Sequence, residues 1–123
     1  MPIKPKILIV DDEAVIREIY GDFLEQNGFE VATALNVETA LESIKAKKPD
    51  LILLDIVMPF RNGFDLYDQV IVDYHDIKFV FMTGYDDDIK ITERLSKSGK
   101  KWFVKPIKLE EMLEVIRNEL SAS

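Results

Sequence analysis

Carboxylates follow two short apolar segments of this chain, and these are its residues best suited to chemistry. Asp55 closes the run 51–54, while Asp11 and Asp12 come directly after the run 7–10. Short continuous apolar runs are typical of strands buried on both faces of a parallel sheet. The carboxyl ends of such strands share one sheet edge, where α/β proteins bind ligands. We therefore expect three carboxylates at this edge.

Two further apolar segments end in groups that can contact an anion. Residues 79–82 lead to the hydroxyl of Thr83, and residues 102–104 lead to the ammonium of Lys105. Carboxylates, a hydroxyl and an ammonium at one edge indicate metal-assisted handling of a phosphoryl group, whose oxygens need positive charge and hydrogen-bond donors. Asp55 could attack phosphorus as a nucleophile and form an acyl phosphate.

The same carboxylates predict a divalent cation. Three carboxylates at close range repel one another, so without a cation they should hold protons. The chain has no cysteine and one histidine, His75, in a polar segment away from the predicted site. The remaining hard oxygen ligands favour Mg²⁺ over zinc or copper. Mn²⁺ could take the place of Mg²⁺.

Strand-like and helix-like periodicities alternate five times along the chain. The predicted strands are residues 6–10, 29–35, 50–55, 77–83 and 101–104. Apolar residues at helical spacing predict helices from about 15 to 26, 37 to 48, 64 to 73, 87 to 98 and 109 to 120. Asn36 is a candidate cap for the second helix. The fourth helix has sparse apolar positions.

Five βα units predict an α/β fold, a single (βα)5 doubly wound domain over residues 1–123 with helices on both faces of a five-stranded parallel sheet. Right-handed crossovers leave few topologies. By analogy with other doubly wound sheets we take the strand order 2-1-3-4-5, which makes strands one and three neighbours. Asp11, Asp12 and Asp55 then meet in one crevice. We expect no output domain in this chain.

Composition excludes several functional classes. A length of 123 residues suits one domain, and a net charge of −7 argues against direct binding of nucleic acid. The lack of cysteine excludes disulfides and thiolate chemistry. Neither a membrane span nor the apolar region of a signal peptide is present in the sequence. We therefore expect a soluble, cytoplasmic protein without membrane partners.

Each candidate residue also has a structural explanation. Residues 11–13 could favour a helix N-terminus, Asp55 could be a turn residue before Pro59, and Thr83 and Lys105 could be an ordinary strand end and a surface lysine. The chemical interpretation is favoured because four separate strand ends carry complementary groups. We interpret His75, in contrast, as part of a solvated connector.

Four motifs, each after a predicted strand, together resemble the receiver domain of response regulators in two-component signalling (the CheY-like superfamily). The resemblance covers essentially the whole chain, and the four motifs occur in the expected order. The motifs are Val10-Asp11-Asp12-Glu13, Leu54-Asp55-Ile56-Val57-Met58-Pro59 with Gly63, Met82-Thr83-Gly84, and Lys105-Pro106.

The resemblance implies roles for the individual residues. Asp55 would be the phospho-acceptor, and Lys105 would pair with the phosphoryl oxygens. Asp12 would bind Mg²⁺ directly, Asp11 largely through water, and the backbone carbonyl of Val57 would be a further ligand.

The resemblance also implies a conformational switch. Thr83 would move to contact the phosphoryl group, and Trp102, at a position usually held by Tyr or Phe, would swing inward. Val57 and Tyr85 occupy positions that tune phosphoryl lifetime in the family. Because Val57 cannot position a water molecule, we expect slow self-dephosphorylation.

The implied function is a phosphorylation-controlled signalling switch in a two-component or phosphorelay system. The chain would take its phosphoryl group from a sensor histidine kinase or a histidine phosphotransfer protein, catalysing only its own modification and its slow loss. The fourth helix and fifth strand would form the face that controls a downstream protein effector. Residues 90–108 carry one acidic residue, Glu93, and seven basic ones: Lys90, Arg94, Lys97, Lys100, Lys101, Lys105 and Lys108. This face could dock an acidic partner.

Two other classes stay open from sequence alone. A phosphohydrolase of the haloacid dehalogenase type also uses an Asp nucleophile and Mg²⁺, but it needs a second Asp two residues later, where this chain has Val57. A receiver-like scaffold would work without phosphorylation, and it would not require the complete set of acidic residues together with Thr83 and Lys105.

Overall fold

The computed structural model describes residues 4–84 and 87–121. Strands and helices alternate through these residues, as predicted. In chain order they are β1 (Lys6–Val10), α1 (Ala14–Gln26), β2 (Glu30–Ala34), α2 (Val37–Ala46), β3 (Leu51–Asp55), α3 (Gly63–Asp73), β4 (Lys78–Gly84), α4 (Ile89–Ser98), β5 (Lys101–Lys105) and α5 (Leu109–Ser121).

The strands form one parallel sheet in the order β2-β1-β3-β4-β5. This confirms the predicted α/β fold and its strand order. The order makes β1 and β3 neighbours in the centre of the sheet, with Val10 paired to Leu54 at the carboxyl end of that pair. The residues that follow these two strands therefore emerge side by side.

Helices cover both faces of the sheet, because successive side chains of each buried strand point to opposite sides. In β3, Ile52 and Leu54 belong to the core beneath α2, α3 and α4. Leu51 and Leu53 belong to the core beneath α1 and α5. Two apolar layers thus hold the central strands rigidly, which is what a site at their ends requires.

Local capping explains where three of the helices begin. The Asn36 side chain accepts a hydrogen bond from the Thr39 amide at 2.8 Å and starts α2 as predicted. Asn62 and Asp65 form the corresponding pair at the start of α3. The predicted start of α4 at residue 87 was wrong, because Asp88 caps the helix by accepting from the Lys90 amide at 2.9 Å.

Gly63 brings the first turn of α3 against the end of β3. Its amide donates to the Ile56 carbonyl at 2.7 Å. A Cβ atom at this position would lie 2.6 Å from the Asp55 carbonyl oxygen. Only glycine permits this approach, so the helix position and the Asp55 backbone depend on each other.

None of the helices in the described part of the chain is long and apolar enough to cross a membrane.

Candidate functional site

Three carboxylates meet at the carboxyl edge of the sheet. Oxygen atoms of Asp11, Asp12 and Asp55 all lie within 4.8 Å of one another. Asp11 and Asp55 are buried, whereas Asp12 is exposed. The structure therefore brings together the three residues that the sequence analysis placed in one crevice, with two of them shielded from bulk water.

Backbone amides orient the two buried carboxylates. The Glu13 amide donates to Asp11 Oδ1 at 2.9 Å, and the Val57 amide donates to Asp55 Oδ1 at 3.3 Å. In each case the second oxygen, Oδ2, faces the Lys105 ammonium instead. Glu13 itself precedes α1 but makes no side-chain capping hydrogen bond, so its side chain does not cap this helix.

Lys105 lies within the acidic cluster. Its Nζ atom is 3.1 Å from Asp11 Oδ2 and 3.3 Å from Asp55 Oδ2. The Glu13 carboxylate is a third, more distant neighbour at 3.6 Å. Only 14% of the Lys105 side chain is exposed. The alternative of an ordinary surface lysine does not fit this position, and Lys105 is not part of the basic outer face.

Burial dominates the electrostatics of the two buried acids. It raises the pKa of Asp55 from 3.8 to about 7, with a further contribution from the charge of Asp11, while Lys105 opposes the shift. Burial likewise raises the pKa of Asp11, opposed by the Glu13 amide and by Lys105. Burial lowers the pKa of Lys105, but the charges of Asp55 and Asp11 outweigh it and leave that pKa above its ordinary value.

This donor set fits a hard divalent cation. All three carboxylates offer oxygen ligands, and one ammonium cannot balance three ionised acids. Burial raises the pKa of both Asp55 and Asp11, and a bound cation would favour their ionised forms. Mg²⁺ prefers oxygen ligands. It usually takes only a few of them from the protein and keeps several water ligands. The residues present are therefore suitable for Mg²⁺.

An open cleft of about 200 Å³ adjoins these groups. Its lining combines the acidic cluster, Lys105 and the loops after β3 and β4: Asp12, Glu13, Asp55, Val57, Gly84, Asp87 and Lys105. Val57, two residues after Asp55, presents an exposed aliphatic side chain. It cannot act as the general acid that a haloacid dehalogenase-type hydrolase needs.

Thr83 is buried at the end of β4, and its hydroxyl already has a partner. It donates to Asp87 Oδ2 at 2.5 Å, and the Gly84 amide donates to the same oxygen at 2.5 Å. The sequence analysis missed Asp87 because it assigned residue 87 to a helix. One feature of the sequence could have pointed to Asp87. It is an acidic residue four positions after the strand-end hydroxyl of Thr83, and it directly precedes Asp88, the cap of the next helix.

The remaining predicted residues lie around this centre. Trp102 is half-buried and packs against the core beneath α2, α3 and α4. Tyr85, predicted to tune phosphoryl lifetime, lies outside the described residues. His75 is exposed between α3 and β4, as expected of a connector.

Basic side chains are exposed along α4 and around β5. They are Lys90, Arg94, Lys97, Lys100, Lys101 and Lys108. The Arg94 guanidinium also lies 3.8 Å from the centre of the Phe64 ring and 3.6 Å from the Asp68 carboxylate. Arg94 therefore links α4 to α3, while the five lysines form the exposed charge of this face.

Comparisons with known proteins assign the family. Residues 7–117 match the response regulator receiver domain. The chain is 32% identical over 117 residues to chemotaxis protein CheY of Bacillus subtilis, covering 94% of this chain and 98% of that protein. It is 30% identical over 115 residues to sporulation initiation phosphotransferase F of the same organism, covering 94% and 93%. A solved CheY-like receiver domain protein from Methanospirillum hungatei is similar with a TM-score of 0.86 at 28% identity, covering 96% of this chain and 94% of that chain. The chain therefore belongs to the response regulator receiver domain family of two-component signalling.

Proposed function

We propose that this chain accepts a phosphoryl group on Asp55 and relays its presence to a partner protein. The observation that carries the proposal is the position of Lys105, whose ammonium lies 3.3 Å from Asp55 Oδ2 and 3.1 Å from Asp11 Oδ2 inside a shielded acidic cluster. A cation beside a nucleophilic carboxylate is what phosphoryl transfer to that carboxylate needs.

In the proposed reaction an Asp55 carboxylate oxygen forms a bond to phosphorus while the P–N bond of a phosphohistidine breaks. The electron pair of that bond stays on the imidazole nitrogen, which takes a proton from solvent. Lys105 donates hydrogen bonds to the phosphoryl oxygens, and Thr83 contributes its hydroxyl after moving towards them. The Val57 amide, already bonded to Asp55 Oδ1 at 3.3 Å, orients the carboxylate.

Asp11, Asp12, Asp55 and the Val57 backbone carbonyl would hold Mg²⁺, with Mn²⁺ as a substitute. When bound, the ion supplies positive charge that favours ionised Asp55 and neutralises the phosphoryl oxygens. Lys105 then exchanges part of its contact with the carboxylates for contact with the transferred group.

The phosphoryl donor in this proposal is a sensor histidine kinase or a histidine phosphotransfer protein. The output is a change in the face formed by α4 and β5, where Trp102 is half-buried and five lysines are exposed. The chain changes only itself, so its chemistry is self-phosphorylation and slow self-dephosphorylation within one receiver domain.

The test uses beryllofluoride, which mimics a phosphoryl group on a carboxylate. With Mg²⁺ present we expect a ¹⁹F NMR signal of bound beryllofluoride in the parent protein and none in Asp55→Asn. The fluorescence of Trp102, the single tryptophan, should change with the same dependence on beryllofluoride. The proposal fails if the parent gives no bound signal, or if Asp55→Asn gives the same one.

A phosphorylation-independent scaffold would show neither the bound signal nor the fluorescence change, and a hydrolase would release phosphate catalytically from a small phosphomonoester.

A further inference from the structure

Asp87 holds the hydroxyl that the proposed function assigns to the phosphoryl group. Its Oδ2 atom accepts from Thr83 Oγ1 and from the Gly84 amide, each at 2.5 Å. The Asp87 amide donates back to the Gly84 carbonyl at 3.2 Å. The Asp87 carboxylate thus accepts both hydrogen bonds that the end of β4 could otherwise donate to a ligand, those of the Thr83 hydroxyl and the Gly84 amide.

The Thr83 hydroxyl cannot serve Asp87 and a phosphoryl group together. A threonine hydroxyl carries one proton, so it donates to one strong acceptor at a time. Hydrogen bonds to an ionised carboxylate are stronger than those to a neutral acceptor. Because Thr83 is buried at 0% exposure, water competes little for that proton. A phosphoryl oxygen must therefore displace Asp87.

Asp87 also lies where this displacement has consequences. It lines the same cleft as Asp55 and Lys105, and it sits in the segment that joins β4 to α4. The next residue, Asp88, instead caps α4 through the Lys90 amide at 2.9 Å. Leu95 is the buried residue of α4, so this helix is weakly anchored. It can therefore follow a movement of Asp87, which precedes the helix cap.

We propose that Asp87 is a positioning residue that retains the Thr83 hydroxyl in the unphosphorylated protein and so sets how readily the switch engages. The inference rests on the proposed function, since it assigns a competitor for a contact that the phosphoryl group makes. Removing the carboxylate frees Thr83 and the Gly84 amide for the incoming group.

The test compares beryllofluoride binding to the parent and to Asp87→Ala with Mg²⁺ held constant, read by ¹⁹F NMR. We expect the half-saturating concentration to fall about ten- to a hundredfold in Asp87→Ala, the range for losing one hydrogen bond to a charged group. Asp88→Asn is the matched control, because it removes a charge one residue away, keeps an acceptor for the Lys90 amide that starts α4 and does not touch Thr83. An equal fall in Asp88→Asn, or no fall in Asp87→Ala, overturns the inference.

A double-variant cycle separates the hydroxyl from general charge. In a Thr83→Ala background, Asp87→Ala should change the half-saturating concentration by about twofold or less. The same fall as in the parent background would mean that Asp87 does not act through the Thr83 hydroxyl, and it would overturn the inference. If Asp87→Ala does not fold, Asp87→Asn keeps the shape without the charge and should give a smaller change in the same direction.

A spectroscopic signal tests the contact in the free protein. The chain has four threonines, so methyl-labelled threonine gives a simple spectrum in which Thr83 can be assigned. We expect Asp87→Ala to move the free Thr83 methyl signal towards its position in the beryllofluoride-bound parent, and Asp88→Asn to leave it in place. An unmoved signal contradicts the inference.

Failure of the inference and failure of the proposed function look different. A parent protein that binds no beryllofluoride through Asp55 overturns both. A parent protein that binds it, together with an Asp87→Ala variant of unchanged affinity and unchanged Thr83 signal, overturns the inference alone.

Discussion

At the scale of single residues, the acidic cluster costs stability. Burial raises the pKa of Asp55 to about 7 and also raises that of Asp11, so the ionised forms are less favourable in the folded protein than in the unfolded chain. A raised folded pKa means that stability is highest below pH 4 for this group and is lost as the pH rises through about 7. The proposed function therefore opposes stability at Asp55.

Replacing Asp55 with Asn should stabilise the metal-free protein in a pH-dependent way. Asn resembles the protonated acid, so the gain should be small at pH 4 and reach about 2–4 kcal/mol near pH 8. Urea unfolding of both proteins across this range measures the difference. A gain that is the same at both pH values would contradict the assignment of a raised pKa to Asp55.

Adding Mg²⁺ provides the complementary control. At a concentration about ten times its dissociation constant it should stabilise the parent by roughly 1.4 kcal/mol at pH 8, and Asp55→Asn by much less.

Val57 leads to a prediction about phosphoryl lifetime. Its exposed aliphatic side chain lines the cleft, and it has no group that can hold an attacking water. We expect Val57→Asn to shorten the lifetime of the phosphorylated protein about tenfold, because a side-chain amide can orient that water. Decay of the intact-mass signal in Mg²⁺ measures this. Val57→Thr, which keeps the branched shape, should fall between the two proteins, and equal lifetimes in all three would count against the explanation.

The site residues differ in how far the sequence could predict them. Asp11, Asp55, Thr83 and Lys105 each lie at or next to the carboxyl end of a strand, and strand ends are visible in the apolar pattern. Asp87 is different, because it lies outside any strand or helix and its place in the site is given only by its hydrogen bond with Thr83. No periodicity reports such a contact, so it appears only in three dimensions.

At the scale of elements, the join between β3 and α3 ties the fold to the site. Gly63 begins α3 against the Asp55 carbonyl, where a Cβ atom would come within 2.6 Å. The sequence pattern predicted both elements, but the close contact between them depends on backbone positions that periodicity does not describe. The same limit applies to the start of α4. The helix begins after its cap, Asp88, and not at residue 87 as predicted.

Gly63→Ala should therefore destabilise the protein by about 1–3 kcal/mol and weaken beryllofluoride binding, since either α3 or Asp55 must shift. Gly21→Ala is the matched control within α1, where the added Cβ would meet Val31 Cγ1 at an ordinary 3.6 Å. That variant should be neutral or up to about 1 kcal/mol more stable. Thermal unfolding distinguishes them, and equal stabilities would contradict the steric explanation.

At the scale of the whole molecule, charge is unevenly distributed. The chain has a net charge of −7, yet α4, β5 and their flanks carry a group of exposed lysines that includes Lys97, Lys100 and Lys101. A basic face on an acidic protein favours binding of an acidic partner in one orientation. Complementary charges guide the approach of the two proteins and fix how they align.

Neutralising Lys97, Lys100 and Lys101 to Gln should weaken binding of an acidic probe such as a polyglutamate peptide about tenfold at low salt, and should flatten its salt dependence. Fluorescence anisotropy of the labelled peptide at two salt concentrations measures both. The matched control neutralises Lys45, Lys47 and Lys48 near the end of α2, which changes the net charge equally. Equal weakening by both triple variants would show that overall charge, not this face, attracts the peptide.

The central claim is that Asp55 takes up a phosphoryl group within this cluster. Intact-mass spectrometry of the parent protein incubated with Mg²⁺ and a small-molecule phosphodonor tests it most directly. The predicted result is the mass gain of one phosphoryl group in the parent. No gain is expected when Mg²⁺ is chelated before the donor is added, and none in Asp55→Asn. An unmodified parent protein, or the same gain in Asp55→Asn, would contradict the claim.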